Sequence, residues 1–250
     1  MKSVAKNDLY GQALLNFQKN GFTENIKTYS TLGGEDVYPL PYLFRDFNDM
    51  PKVEQKALQL ANGKILDIGC GAGSHSLYLQ KNKKNSLAID ISEGAIETCL
   101  LRGINNAQIQ DIWKLKNQQF DTILLLMNGA GMCGRLNKLA PFLNHLKTLL
   151  TPNGQILLDS SDVIYMFEDE DGNIDIDSKY EYYGETTFTM EYQNKKGKPF
   201  NWFYIDYSNL QQAANFCGLK AELILEGNHY DYLARITIPI SNIANQNNKN

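Results

Sequence analysis

Ile65-Leu66-Asp67-Ile68-Gly69-Cys70-Gly71-Ala72-Gly73-Ser74-His75 decides how the rest of the chain reads. Residues 64–68 have the apolar character of a buried strand, glycine then recurs at alternate positions, and residues 74–80 have helical spacing. Glycines in such a turn permit positive φ and let main chain approach a ligand to contact distance. The turn falls at the carboxyl end of its strand, where open α/β sheets bind ligands.

Downstream the same strand–helix alternation repeats. Residues 86–90 read as a second strand, 92–102 as a helix, 107–110 as a third strand and 120–127 as a fourth. The unbroken apolar run of the fourth suits a sheet centre covered on both faces. A helix over 138–150 stops at Pro152-Asn153-Gly154, and 155–159 form a fifth strand. Such alternation predicts a parallel sheet with right-handed crossovers. Upstream, Pro51 suits a first helical turn, and Val53, Ala57, Leu58, Leu60 and Ala61 recur at helical spacing before the stop at Gly63. Residues 1–50 show one short helical pattern (Leu9, Ala13, Leu14, Phe17), turn signals at Gly21, Gly33-Gly34, Pro39 and Pro41, and no strand alternation. They are expected to form a cap lying on the domain of residues 51–240.

Past Asp159 the alternation breaks. Residues 165–207 hold twelve of the chain's 27 aromatic residues, which marks them as an insertion of different character. Phe188, Met190 and Tyr192 alternate along 185–192, Asn194-Lys195-Lys196-Gly197 is a turn, and 200–207 return, so a long antiparallel hairpin is predicted. A helix over 210–216 and two last strands, 221–226 and 232–238, follow. The polar tail 241–250 is expected to be disordered.

The chain has 250 residues, 43% of them hydrophobic and 21% charged, an ordinary globular balance for one large domain. Its net charge of −4 provides no general attraction to nucleic acid or an anionic membrane. Cys70, Cys99, Cys133 and Cys217 lack any metal-ligand spacing and read as reduced thiols of a cytosolic protein. Residues 1–8 lack the apolar segment of a signal peptide, and the longest clear apolar run, 123–127, is too short to span a bilayer. The expectation is a soluble cytoplasmic protein.

Two details narrow the ligand of the glycine turn. A dinucleotide fingerprint places its third glycine where this chain has Ser74, and it usually has an apolar residue in place of Asp67. A carboxylate two residues before the first glycine suits a cationic ligand better than a pyrophosphate. The P-loop pattern is absent as well.

Asp67-Ile68-Gly69-Cys70-Gly71-Ala72-Gly73 resembles motif I of class I S-adenosylmethionine-dependent methyltransferases, and further landmarks follow in order across residues 51–238. The resemblance implies a Rossmann-like α/β fold: a seven-stranded, mostly parallel sheet with an antiparallel last strand, here with the N-terminal cap and the hairpin insertion. It implies S-adenosylmethionine as cofactor, with Asp67, Gly69, Cys70 and Gly71 in its site. Asp90, seventeen residues after Gly73, ends the second strand where the family's acid grips both ribose hydroxyls, with Ile91 next to it. Asp111 and Ile112 follow the third strand, where the family places an acid on the adenine amino group and a backbone N–H on the ring. Asn128 follows the fourth strand, beside the methionine moiety. Rivals are a nicotinamide-dependent oxidoreductase and a cofactor-binding module without catalysis.

Methyl transfer from a sulfonium needs alignment and desolvation first, and a base only if the acceptor arrives protonated. His75, His145, His229, Asp162, Tyr165 and Tyr230 are the candidates, and nothing in the sequence selects one. His75 could line the transfer pocket, His145 reads as a helix-surface residue, and Tyr165 lies on the edge where an acceptor sits. Arg45 suits the carboxylate of the cofactor or of an acidic acceptor, or a place on the surface. Asn128 is followed by Gly129-Ala130-Gly131 instead of the Pro-Pro-aromatic sequence of many amino-group methyltransferases on nucleic acid and protein. With the acidic balance, this favours a small-molecule acceptor, through an oxygen or nitrogen atom. Asp169, Asp171 and Asn173 imitate a calcium loop, but Ile174 stands where glycine is required and Tyr180 where glutamate is required, so a solvated acidic loop is expected.

Overall fold

A computed structural model describes residues 7–176 and 181–239. The elements in order are α1 (Leu9–Asn20), β1 (Ile26–Ser30), β2 (Gly34–Tyr38), α2 (Leu40–Leu43), α3 (Lys52–Leu60), β3 (Lys64–Ile68), α4 (Ser74–Lys81), β4 (Asn85–Asp90), α5 (Glu93–Leu101) and β5 (Ala107–Ile109). Then come β6 (Phe120–Leu125), α6 (Leu139–Thr148), β7 (Leu150–Ser161), β8 (Glu185–Tyr192), β9 (Lys195–Lys196), β10 (Phe200–Phe203), α7 (Tyr207–Phe216), β11 (Lys220–Glu226) and β12 (Asp231–Thr237). The polar tail lies outside the described residues. No helix among those described is long and apolar enough to cross a membrane.

The main sheet has seven strands in the order β11-β12-β7-β6-β3-β4-β5. β3, β4, β5, β6 and β7 pair in parallel, while β12 is antiparallel to both β7 and β11. From β3 the chain moves outward to β4 and β5, then returns to β6 on the other flank. The strand order therefore reverses at β3, and the crevice beyond its carboxyl end is where such a sheet takes a ligand. The glycine turn fills that position.

Successive side chains of a strand face opposite ways. Leu66, Ile123 and Leu158 join one core cluster with Phe142 and Leu146 of α6 and Leu210 of α7. Ile65, Leu124 and Leu157 join another with Val53, Ala57 and Leu58 of α3. By the same alternation, Asp67 and Asp159 fall on the α3 face, at the strand tips. The helix α6 ends where expected, but β7 begins at Leu150, so Pro152-Asn153-Gly154 lie inside it. An irregular register between Phe120 and Thr122 of β6 absorbs them.

The N-terminal segment departs from its sequence reading, because it contains two strands. β1 pairs with β2 and also with β8, in the order β10-β8-β1-β2, all antiparallel. The sequences IKTYS and GEDVY are largely polar and half-exposed, so no apolar alternation betrays them. Their strand conformation comes from the ladder with β8, from Lys27 opposite Glu191 to Ser30 opposite Phe188. The N-terminal segment and the aromatic insertion thus form one smaller sheet. It meets the turn that follows β6, where the Trp202 ring packs on Gly131 so closely that a Cβ there would clash with the indole.

Candidate active site

The main chain of the glycine turn is tied to the tip of β4. The N–H groups of Gly69 and Cys70 both donate to the Ile89 carbonyl, at 2.9 and 3.1 Å. The Gly71 N–H donates to Asp90 Oδ2 at 3.0 Å, and the Ser92 N–H to Asp90 Oδ1 at 2.9 Å. Burial raises the Asp90 pKa, and these amides only partly offset it. Gly71 has φ +53°, and a Cβ there would stand 2.7 Å from the Tyr10 hydroxyl, so α1 lies directly over the turn. Asp8 fixes α1 in that place. Its carboxylate caps α1 through the Gly11 N–H at 2.9 Å and accepts from Ser92 Oγ and the Gly94 N–H at the start of α5.

Asp90 and Asp111 share an edge. Asp90 pairs with Ile109 in the sheet, and the Gln110 N–H donates to the Asp90 carbonyl at 2.9 Å. Asp111 caps a short 3-10 turn, Ile112–Lys114, through the Trp113 N–H at 3.0 Å. Ile112 is buried, whereas Ile91 is 75% exposed at the cleft edge. His145 is no plain surface residue: its Nε2 donates to the Ile112 carbonyl at 2.7 Å and its ring stacks on Trp113, bracing the Asp111 turn.

On the α3 face lies a buried cluster that the sequence reading did not assemble. Arg45 Nη2 donates to both Glu54 oxygens at 2.5 Å, its guanidinium covers the Tyr42 ring at 3.9 Å, and its Nε is buried without a partner. At 8% exposure Arg45 is not the surface residue that was one of its readings. His75 Nε2 lies 2.7 Å from Glu54 Oε2. Burial opposes protonation of His75, but the Glu54 hydrogen bond and the nearby Asp67 prevail and raise its pKa. For Glu54, burial is likewise outweighed by His75 and Arg45, and its pKa falls. Asp67 lies beneath the turn, accepts from Ser76 Oγ at 2.6 Å, and is raised by burial.

Asn128 adopts φ +57° after β6, and its N–H donates to Asp159 Oδ1 at 2.8 Å. Its own Oδ1 is buried with no hydrogen-bond donor. Burial, then repulsion from Glu54, push Asp159 up to about 7. Glu54 and Asp159 were missed, although both left a signal. Glu54 lies on the apolar stripe of Ala57, Leu58 and Ala61, and Asp159 ends an apolar strand as Asp90 does.

Tyr165, 45% exposed, stacks on Tyr230 from the β11–β12 turn at 5.1 Å between centroids. Asp162 links the same rim: its N–H donates to the Tyr230 carbonyl, and Tyr183 Oη donates to its Oδ1 at 2.8 Å. Burial raises the pKa values of Tyr38 and Tyr42 from the N-terminal segment and of Tyr204 after β10. The hairpin supplies packing, since Phe203 is in the core. In the acidic loop, Asp169 Oδ1 accepts the N–H groups of Asp171 and Asn173. No metal-holding group of His, Cys, Asp or Glu occurs among the described residues, and Tyr180 lies outside them. The four cysteines are free, with Cys70 and Cys99 sulfurs 3.8 Å apart.

Comparison with known proteins agrees with this geometry. A family model described as a methyltransferase domain matches residues 59–212. A structure of an S-adenosylmethionine-dependent methyltransferase from Bacteroides fragilis, in complex with S-adenosyl-L-homocysteine, is 44% identical. That likeness covers 94% of this chain and 97% of the other, with a TM-score of 0.88. An S-adenosylmethionine-dependent methyltransferase from Clostridium acetobutylicum (16% identity, 77% and 94% covered, TM-score 0.54) shares the fold. So does a protein from Pyrococcus horikoshii OT3 (18%, 75% and 88%, 0.54). No curated protein sequence matches the chain. The nicotinamide reading is thereby set aside, and the chain belongs to the class I S-adenosylmethionine-dependent methyltransferases.

Proposed function

We propose that this methyltransferase acts on a small molecule, delivering the methyl group in line to an oxygen or nitrogen atom. The observation that carries the reading is the cover over the glycine turn: Tyr10 of α1 closes on Gly71. A site covered in this way favours a small acceptor and excludes water. The net charge of −4 disfavours a polyanion.

The residues fit the cofactor, as the donorless Asn128 Oδ1 and the cradle at Gly71 indicate. Bound S-adenosylmethionine supplies an activated methyl group on a sulfonium. Asp90 would receive the ribose hydroxyls, with Ile91 next to it in the site. Asp111 accepts from the adenine amino group while the Ile112 N–H meets the ring. The main chain of Gly69, Cys70 and Gly71 would run along the methionine portion, with Asp67 beneath the turn and Asn128 beside the methionine moiety. Arg45 and His75 hold Glu54 and shape the pocket floor, and Tyr165 meets the acceptor at the rim.

Titration calorimetry with S-adenosylhomocysteine tests the site. Losing charged hydrogen bonds, Asp90→Ala is expected to weaken binding by ~1–3 kcal/mol. Unchanged affinity removes Asp90 from the site. Incubation with radiolabelled methyl donor and a cell extract tests the acceptor class: label is expected in small molecules, and label confined to protein or nucleic acid overturns it.

A further inference from the structure

The glycine turn meets two other segments of the chain. One is α1, at Gly71; the other is the 3-10 turn Gly129–Cys133 that follows Asn128, and it reaches Gly69. Met132 makes this second contact. Its methyl carbon stands 3.4 Å from the place a Cβ on Gly69 would take and 4.0 Å from that of a Cβ on Gly129. The side chain therefore bridges the turns at the tips of β3 and β6. It is half-buried and packs against the main core. A thioether on three rotatable bonds has little shape of its own, so its position is imposed by what surrounds it.

Those surroundings come from the hairpin. The Trp202 ring lies against Gly131, in the middle of the 3-10 turn, and leaves no room for a Cβ there. The indole is backed by Phe200, edge to face at 6.4 Å, and Phe200 stacks on Phe188 across the β8–β10 ladder at 6.1 Å. Glu185, buried at the start of β8, accepts from Arg135 Nη1 at 2.6 Å and from the Leu136 N–H at 2.9 Å. Charge-assisted bonds of this kind fix the chain where it leaves the turn. Its entry is fixed by the main sheet, through the Asn128 N–H on Asp159. Between these anchors the Gly131 N–H donates to the Asn128 carbonyl and the Gly134 N–H to the Gly131 carbonyl, both at 2.9 Å.

We propose that Met132 contacts the methionine portion of the bound cofactor, and that Trp202 and Glu185 of the aromatic hairpin are positioning residues that hold Met132 at Gly69. This rests on the reading above that puts the methionine portion along Gly69, Cys70 and Gly71 and beside Asn128. The chemistry suits the place. The methylene chain of that portion offers apolar surface, and a thioether methyl covers it without adding a charge or a strong hydrogen-bonding group. The hairpin, whose strands lie outside the main sheet, thereby serves the cofactor site.

The test is titration calorimetry of the full chain with S-adenosylhomocysteine, with urea denaturation of each variant to show that the fold is kept. Met132→Ala is expected to weaken binding by about five-fold or more through lost apolar contact, whereas Met132→Leu keeps it within about three-fold. Trp202→Ala is expected to weaken binding by a similar factor, and Trp202→Phe, which keeps a ring at Gly131, to recover most of the loss. The double variant Met132→Ala/Trp202→Ala separates positioning from general support. If Trp202 acts through Met132, the double variant binds no more than about two-fold worse than Met132→Ala alone. Losses that multiply overturn the positioning role. Glu185→Gln removes the charge that holds Arg135 and keeps the test decisive if Trp202→Ala fails to fold. It is expected to weaken binding by about three-fold and to add nothing in the Met132→Ala background; an unchanged affinity, or a further loss there, overturns its role. Unchanged affinity in Met132→Ala, with Asp90→Ala still weakened, overturns the proposal alone. Where Asp90→Ala is unchanged as well, the placement of the cofactor fails and the proposal falls with it.

Discussion

The main sheet joins strands that mostly follow one another along the chain, whereas the smaller sheet joins β1 to β8, so that Lys27 lies opposite Glu191. The first is apolar on both faces and sits between α3 and α4 on one side and α6 and α7 on the other. The second is half-exposed and polar, and takes its shape from pairing across the length of the chain. The proposed site lies where they meet: the main sheet carries Asp67, Asp90, Asn128 and Asp159, and the N-terminal segment carries Tyr10, which covers Gly71. Each region is therefore incomplete as a site, and the contacts that couple them govern both stability and access to the cofactor.

The strongest of these contacts joins Arg45, from the N-terminal segment, to Glu54 and His75 on the helices of the main domain. Glu54→Gln leaves a buried guanidinium without a counter-charge, and an unfolding cost of ~3–5 kcal/mol is expected for breaking such a pair. Urea denaturation measures it. Replacing both partners at once, Arg45→Met with Glu54→Leu, is expected to recover much of the loss, because no isolated charge remains. A cost below about 1 kcal/mol for Glu54→Gln shows instead that the smaller sheet holds the N-terminal segment without this ionic strut.

How much of this could be read in advance follows from the same contrast. The glycine turn, Asp90 and Asp111 obey local rules: an apolar period, a strand end and a fixed spacing, all within a window of some fifty residues. β1 and β2 obey none, since Lys27-Thr28-Tyr29-Ser30 becomes a strand only through a partner that sequence order does not indicate. Glu54 was hidden by its company on an apolar helical stripe, where one acid reads as a tolerated exception. Arg45 and His75 were visible as candidates, but their common partner was not, because side chains that meet in space leave no periodic trace. Asp159 was expected to end its strand, but β7 continues to Ser161; its missing counter-charge became evident only from the neighbours that the fold brings to it.

Asp159 also distinguishes the regions by pH. An exposed carboxyl titrates near about 3.9 in the unfolded chain, whereas burial and Glu54 push Asp159 up to about 7 in the folded one. Between those values the folded protein holds a proton that the unfolded chain has released, so stability falls as pH rises through this window. At about 1.4 kcal/mol for each pH unit, the full effect is ~2–4 kcal/mol. His75, also raised, loses its stabilisation in the same direction as pH increases, and Glu54, lowered, loses its own as pH decreases. Both remain in Asp159→Asn, so the difference between the two proteins isolates Asp159. Denaturation from pH 5 to 8 is expected to show wild-type stability falling more steeply than that of the variant. Parallel profiles show that water or another cation already serves the carboxylate.

The smallest effect is expected where α1 meets α5. Asp8 accepts from the first turn of α1 and from Ser92 and Gly94 at the start of α5, so one carboxylate satisfies donors at two helix starts. Asp8→Ala frees those donors to water and is expected to lower stability by ~1–2 kcal/mol, the usual loss for a helix cap. The more informative readout is the rate at which S-adenosylhomocysteine leaves. Tyr10 stands on the same helix, two residues beyond Asp8, and covers Gly71; loosening α1 therefore uncovers the turn without altering Asp90 or Asp111. A faster release with little change in the association rate identifies α1 as a cover over a site that the main sheet forms by itself. Equal slowing or loss of association shows that α1 is instead part of the binding surface, and that the smaller region must be in place before the cofactor is recognised at all.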